Sequence, residues 1–217
     1  MLASHFISDQ YGASFFIPGY RRWALDQDMG AAYQWHYHFL QHLQVDYMKE
    51  RWVLKTPPHL AYLDSIVNQY PDAAIVQTHR APMDVMGSTA SLACTLHSAF
   101  SDDIDPIAVG LSEVEYFAEM IKRGMAQREA MPDRESRFFD VQFSDIIRDP
   151  IAEIEKIYRH FDFEFTDIAR SAMQHYLDNR PREKHGKHHY TLEQFGLNRD
   201  KHGPLFSDYC QRFGLKD

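Results

Sequence analysis

Three short apolar runs, each followed by a helical pattern, constrain the fold more than any other feature of the sequence. The runs are Trp52–Leu54, Ala73–Val76 and Phe138–Phe143. After each run, apolar residues recur every three or four positions, as they do on the buried face of a helix. Strands that alternate with helices are typical of βαβ units, whose strands run parallel. We therefore expect an α/β fold in which helices cover both faces of a mostly parallel sheet.

The same periodicity predicts where the helices lie. It indicates helices over residues 20–49, from Pro82 onward, over Asp149–His160 and over Thr166–Leu177. The stretch Asn179–His189 is rich in basic and helix-breaking residues and is predicted to be a loop. With 217 residues, 44% of them hydrophobic, the chain can bury one sizeable core. A single domain over residues 1–217 is the expected organisation.

Charge and composition exclude several classes of function. The formal net charge is −8, which argues against a general nucleic-acid binder because such proteins carry a basic surplus. No stretch approaches the roughly 20 apolar residues of a membrane span, and the first residues lack a signal-peptide pattern. The two cysteines and the histidine clusters fit no zinc motif, so no metal is expected. We expect a cytoplasmic protein without a nucleic-acid partner.

The ends of the predicted strands carry the residues of most functional interest. Lys55 follows the first run, His79 and Arg80 follow the second, and Phe143 ends the third. Ligands of parallel α/β sheets bind at the carboxyl ends of the strands. The helix that follows Arg80 also offers free N–H groups and a favourable dipole to an anion. These features predict a site for an anion of phosphate or sulfate size near Lys55 and Arg80.

Four stretches together resemble the sulfotransferase family, most closely its bacterial-type members. They are RWVLKTPPHLAYLDSIVNQYPDAAIVQTHRAPMDVMGSTASL, DVQFSDIIRDPIAEIEKIYRHFDFEF, HYTLEQFGLNRD and FSDYCQRFG, in the family's order, and the likeness runs from about Ile17 to Gly214. The resemblance implies a P-loop NTPase-like α/β fold. It also implies transfer of a sulfuryl group from 3′-phosphoadenosine 5′-phosphosulfate (PAPS) to a hydroxyl or amine of a small-molecule acceptor, which leaves 3′-phosphoadenosine 5′-phosphate (PAP).

Two residues match the family's site for the 3′-phosphate of the donor. The resemblance places Arg80 and Ser88 there, at the family's spacing of eight residues. A planar guanidinium suits a phosphate group. Other interpretations are a surface ion pair of Arg80 with Asp84 or Asp102, and Ser88 as a small residue chosen for packing between helix and sheet.

Lys55 and His59 are the catalytic candidates. Lys55 matches the family's lysine near the transferring sulfuryl group, and His59 is the best candidate for a base beside it. The alternative interpretation of Lys55 is a solvated lysine at the end of an edge strand. His59 could equally be a partly buried histidine at a helix N-terminus, because the family's more distant members carry their histidine two residues nearer the lysine.

Three further residues correspond more loosely to the family's cofactor site. Phe143 stands where many members have an aromatic residue near the adenine, although a core aromatic explains it as well. Lys184 and Lys187 lie in a basic loop that corresponds to the family's C-terminal cofactor loop. A solvated basic loop is the interpretation that the composition favours for these two lysines.

One departure from the family pattern is large. The family begins with a strand and a P-x-S-G-T-T loop that grips the 5′-phosphosulfate, and no such segment occurs in this sequence. We expect an N-terminally truncated domain without its first βα unit. Two functions stay open: a sulfotransferase, or a non-catalytic homologue that keeps only the 3′-phosphate half-site. Without its central strand, the sheet would expose unpaired backbone N–H and C=O groups and an apolar face, which predicts self-association.

Overall fold

Helices dominate the computed structural model, which describes residues 6–46, 48–179 and 190–216. Short 3₁₀ segments at Pro57–Tyr62, Pro132–Arg137, Glu193–Phe195 and Gly203–Phe206 join them. The helices are α1 (Asp9–Ser14), α2 (Pro18–Leu25), α3 (Gly30–Leu43), α4 (Leu63–Gln69), α5 (Met83–His97), α6 (Pro106–Glu129), α7 (Phe143–Arg148), α8 (Pro150–His160), α9 (Asp167–Asp178), α10 (Arg199–His202) and α11 (Ser207–Phe213). Within the described ranges, no helix is long and apolar enough to cross a membrane.

Two parallel strands form the sheet of the described chain. The strands β1 (Ile75–His79) and β2 (Phe138–Gln142) pair from Ile75 opposite Phe138 to His79 opposite Gln142. This pairing confirms the prediction that the second and third apolar runs form parallel strands. Because the strands end in register, the residues that follow them begin side by side at one edge of the sheet.

The first predicted strand was wrong. Residues 52–54 have irregular backbone, and all three side chains are exposed, with Val53 at 96%. A strand is stable only where a neighbour satisfies its backbone groups, and in the described part of the chain β1 pairs with β2 alone. The predicted helix over residues 20–49 is also interrupted, between Leu25 and Gly30. The observed class is a helix-rich α/β fold with a small parallel sheet.

The long helix α6 organises the core. Asp105 caps its first turn by accepting a hydrogen bond from the backbone N–H of Ile107, and Pro106 occupies the first helical position. One side of α6 packs with α5 and the C-terminal segment around Met86, Val114 and Phe206. Another side packs with α3 and the 3₁₀ segment Pro57–Tyr62. Apolar burial on both sides of α6 holds α3 and the C-terminal segment against this helix.

A close approach at Gly124 fixes the segment that carries His59. A Cβ atom at position 124 would lie 2.6 Å from the carbonyl oxygen of Leu60, so only glycine fits there. The side chain of Gln127 adds two hydrogen bonds, accepting from the Leu63 N–H at 2.7 Å and donating to the Ala61 carbonyl at 3.0 Å. The backbone around His59 is therefore held rigidly against α6.

Candidate active site

Arg80 and Phe143 meet where the two strands end. The Arg80 guanidinium carbon lies 4.7 Å from the centroid of the Phe143 ring, which is the geometry of a cation–π contact. Arg80 is exposed, and Phe143 is 38% exposed at the start of α7. The contact orients the guanidinium while its N–H groups keep access to a ligand. Phe143 is thus accessible, unlike Phe138, which is buried in the preceding strand β2.

An ion pair with Asp84 does not account for Arg80. The Asp84 carboxylate instead receives a hydrogen bond from Arg199 Nη2 at 2.5 Å. The ion pair brings a second guanidinium to the first turn of α5, close in sequence to Arg80. Arg199 thereby offsets the negative charge of Asp84, which lies four residues after Arg80.

Ser88 lies on the exposed side of α5, eight residues after Arg80. The small residue required for packing is its neighbour Gly87, because a Cβ atom there would lie 2.8 Å from the Tyr190 ring. The packing interpretation therefore applies to Gly87, and the Ser88 hydroxyl has solvent access.

The structure says less about the other predicted cations, which are Lys55, Lys184 and Lys187. Lys55 is exposed, but it does not end a strand, since residues 52–54 form none. Lys184 and Lys187 lie outside the described residues. The ring of Tyr190, the first described residue after these lysines, packs against α5 at Gly87.

His59 belongs to a cluster of two histidines and two tyrosines. The Tyr33 hydroxyl lies 2.6 Å from His59 Nδ1, and the Tyr70 hydroxyl lies 2.5 Å from His36 Nδ1. The two imidazole centroids are 6.4 Å apart and nearly perpendicular. Burial lowers the pKa of His59 to about 4 and also lowers the pKa of His36. Both rings are therefore neutral at pH 7.

The structure also reveals a buried polar network behind the strand ends. His79 Nδ1 lies 2.8 Å from the Tyr209 hydroxyl, and His79 Nε2 lies 2.7 Å from Asp140 Oδ1. Asp140 accepts two further hydrogen bonds from Arg128, at 2.6 and 2.8 Å. The His79 ring stacks on Phe213 with centroids 3.8 Å apart. The network anchors α11 to the sheet next to Arg80.

Hydrogen bonding sets the charge state of this network. Burial alone would raise the pKa of Asp140, but hydrogen bonds from His79 and Arg128 outweigh it and hold that pKa well below its ordinary value. Arg128 also donates to Glu135, and its own pKa is raised because its hydrogen bonds to the two carboxylates outweigh its desolvation. The contacts of this network were not predicted from the sequence. An aspartate inside the apolar run FFDVQF was the one local signal of it.

These features define an α/β protein that presents an arginine and an aromatic ring at the carboxyl ends of two parallel strands. Beyond that class, a family model described as "Sulfotransferase family" matches residues 2–167. The chain belongs to the sulfotransferase family.

Solved structures of two mycobacterial sulfotransferases share the fold. STF1 from Mycobacterium tuberculosis superposes with a TM-score of 0.84 at 31% identity, covering 95% of this chain and 53% of that one. STF9 from Mycobacterium avium gives a TM-score of 0.88 at 25% identity, covering 97% and 54%. The chain therefore spans about half the length of these solved relatives.

A curated relative is similar over a shorter region. Omega-hydroxy-beta-dihydromenaquinone-9 sulfotransferase Stf3 of Mycobacterium tuberculosis is 22% identical over 159 residues, covering 72% of this chain and 40% of the relative. The Mycobacterium bovis Stf3 matches equally.

Proposed function

We propose that this chain acts in sulfuryl transfer from PAPS to a small-molecule acceptor, and that Arg80 and Phe143 bind the 3′-phosphoadenosine end of the donor. The observation that carries the proposal is the contact of an accessible guanidinium with an accessible ring where the parallel strands end. A guanidinium fork can bind a phosphate through two parallel hydrogen bonds. An exposed aromatic ring offers a flat face for an adenine.

Two neighbouring features support this placement of the phosphate. Ser88 offers a hydroxyl on the exposed side of α5, and α5 begins three residues after Arg80. The ring of Tyr190 contacts α5 at Gly87, the residue before Ser88 in the sequence. We propose that Lys184 and Lys187, which precede Tyr190 in the sequence, also bind the donor, as the family resemblance implies.

The transferring group would lie on the side of Lys55 and His59. Sulfuryl transfer resembles phosphoryl transfer: charge spreads over the peripheral oxygens, and the protein contributes mainly positioning and electrostatic stabilisation. We propose that the exposed ammonium of Lys55 neutralises this charge. A hydroxyl is the proposed acceptor group, in line with the hydroxylated substrate named for Stf3. We further propose that β1 and β2 belong to a P-loop NTPase-like parallel sheet.

The proposal predicts that the chain distinguishes nucleotides by their 3′-phosphate. Isothermal titration calorimetry should show PAP binding at least about tenfold more tightly than 5′-AMP, because the 3′-phosphate adds charge-assisted hydrogen bonds. In matched titrations at higher salt concentration, the difference in affinity between PAP and 5′-AMP should be smaller, because salt screens the charges. Equal affinity for the two nucleotides would contradict the proposed site.

We also propose that the chain associates with a second copy of itself through residues 52–54. Trp52, Val53 and Leu54 form an exposed apolar run, which is unfavourable in water. Val53→Asp should shift the protein toward monomer in size-exclusion chromatography with light scattering. The matched control is Ile168→Asp on α9, where an apolar side chain that is 83% exposed stands alone in sequence. A wild-type protein that stays monomeric at high concentration would refute self-association.

A further inference from the structure

The hydroxyl of Tyr33 has one hydrogen-bond partner among the described residues. Tyr33 is 1% exposed, and its hydroxyl oxygen lies 2.6 Å from His59 Nδ1. A buried O–H that makes no hydrogen bond is costly, so its proton is expected to point at an acceptor. Burial also raises the pKa of Tyr33 strongly, which keeps the hydroxyl protonated. Tyr33 therefore donates to Nδ1 of His59.

This hydrogen bond decides which nitrogen of His59 carries the proton. A neutral imidazole has one N–H, and a nitrogen that accepts a hydrogen bond cannot also be protonated. Because His59 is neutral at pH 7, its proton lies on Nε2. In this tautomer, Nε2 is a hydrogen-bond donor and has no lone pair with which to take a proton.

We propose that Tyr33 is a positioning residue that holds His59 as the Nε2–H tautomer, so that His59 donates a hydrogen bond to an oxygen of the transferring sulfuryl group. The inference rests on the proposed function and revises the role of His59 from base to donor. Neutral histidines serve elsewhere as electrophiles in this manner. A donor aimed at developing charge stabilises a transition state without moving a proton.

The reaction balances without a base at His59. The acceptor oxygen forms a new bond to sulfur, and the bond between sulfur and the bridging oxygen of the 5′-phosphate breaks. That oxygen leaves with the electron pair as part of PAP. The proton of the acceptor hydroxyl passes to solvent water, and His59 keeps its own proton throughout.

The chain offers a matched control in the neighbouring tyrosine–histidine pair. Tyr70 and His36 repeat the same contact at 2.5 Å, with the imidazole of His36 6.4 Å from that of His59. Tyr70→Phe thus removes the same chemical group from the same cluster while leaving the Tyr33 contact intact. An effect specific to Tyr33→Phe cannot then be a general consequence of losing a tyrosine hydroxyl.

The tautomer can be measured directly by long-range ¹H–¹⁵N correlation NMR on the ¹⁵N-histidine-labelled chain, with His59 assigned through His59→Gln. Wild type should show an unprotonated Nδ1 and a protonated Nε2. Tyr33→Phe should convert this pattern to a mixture and raise the titration midpoint of His59 by about one pH unit. Tyr70→Phe should leave His59 unchanged. A wild-type Nδ1–H tautomer, or a pattern unaffected by Tyr33→Phe, would overturn the positioning role.

A titration with nucleotides then tests the donor role. Unchanged signals of buried histidines outside this cluster, such as His79 and His202, will confirm that each variant is folded. PAPS should shift the His59 Nε2–H signal, and PAP, which lacks the sulfuryl group, should shift it much less. If both nucleotides bind and neither moves this signal, the donor role is wrong and the proposed nucleotide site stands. If neither nucleotide binds, the proposed function fails, and the tautomer result is unaffected.

Discussion

Replacing Arg80 by alanine is expected to weaken PAP binding by roughly 30-fold, or about 2 kcal/mol, the range for a charge-assisted hydrogen-bonded contact. The guanidinium is accessible and lies over the Phe143 ring, so the free protein already presents the fork. Alanine removes both the fork and its charge. Calorimetry with PAP measures the effect, and the affinity for 5′-AMP should change little because AMP lacks the 3′-phosphate.

Two variants separate the geometry of Arg80 from its charge. Arg80→Lys keeps the charge but loses the planar fork, so its PAP affinity should fall between those of wild type and Arg80→Ala. Arg148→Ala removes an equally positive side chain that is 71% exposed on α7, and it should change affinity by less than about twofold. An Arg80→Ala variant that binds PAP as tightly as wild type would refute the 3′-phosphate site.

Replacing Asp140 by alanine is expected to lower the free energy of unfolding by about 3 kcal/mol, the lower end for breaking a buried ion pair. The lower end applies because the Asp140 side chain is 35% exposed, so that water screens part of the interaction. The variant leaves the buried His79 Nε2–H without its acceptor and removes two of the hydrogen bonds of Arg128. Urea unfolding at pH 7 measures the change.

Controls distinguish the buried network from surface pairing. Asp140→Asn keeps an acceptor for His79 but not the charge, so it should cost about half as much as Asp140→Ala. Glu129→Ala breaks the exposed ion pair that also links α6 to α11 and should cost less than about 0.5 kcal/mol. If Asp140→Ala were as harmless as Glu129→Ala, the network would not hold α11 to the sheet.

The network also predicts that the stability of the protein depends on pH. Folding lowers the pKa of Asp140 from its ordinary value near 3.8. The carboxylate therefore contributes fully to the free energy of unfolding above that pH, and this contribution is lost as the pH falls toward the pKa of the folded state. Asp140→Asn lacks this contribution at every pH. Its free energy of unfolding should therefore decline less steeply than that of wild type below about pH 4.

Much of the fold was predictable because its signals are local. Apolar runs and helical periodicity identified β1, β2, α5, α8 and α9, and the alternation predicted parallel pairing. Residues 52–54 carry the same local signal but form no strand. Strand formation depends on a partner for the backbone, and no property of three apolar residues reveals whether one is present.

The residues of the candidate site also differ in how far they could be predicted from the sequence. Arg80 and Phe143 could be placed together because each directly follows a strand and the strands are parallel. The contacts of His59 and His79 could not, because His59 meets Tyr33 across 26 positions and His79 meets Tyr209 across 130. Such pairings depend on helix packing. Sequence therefore identified His59 but not the tyrosine that sets its tautomer.

The most direct test of the account is a crystal structure of this chain with PAP. The account predicts that the 3′-phosphate lies within hydrogen-bond distance of the Arg80 guanidinium and the Ser88 hydroxyl, with the adenine beside Phe143. A 3′-phosphate bound elsewhere, with Arg80 directed away from it, would contradict the account.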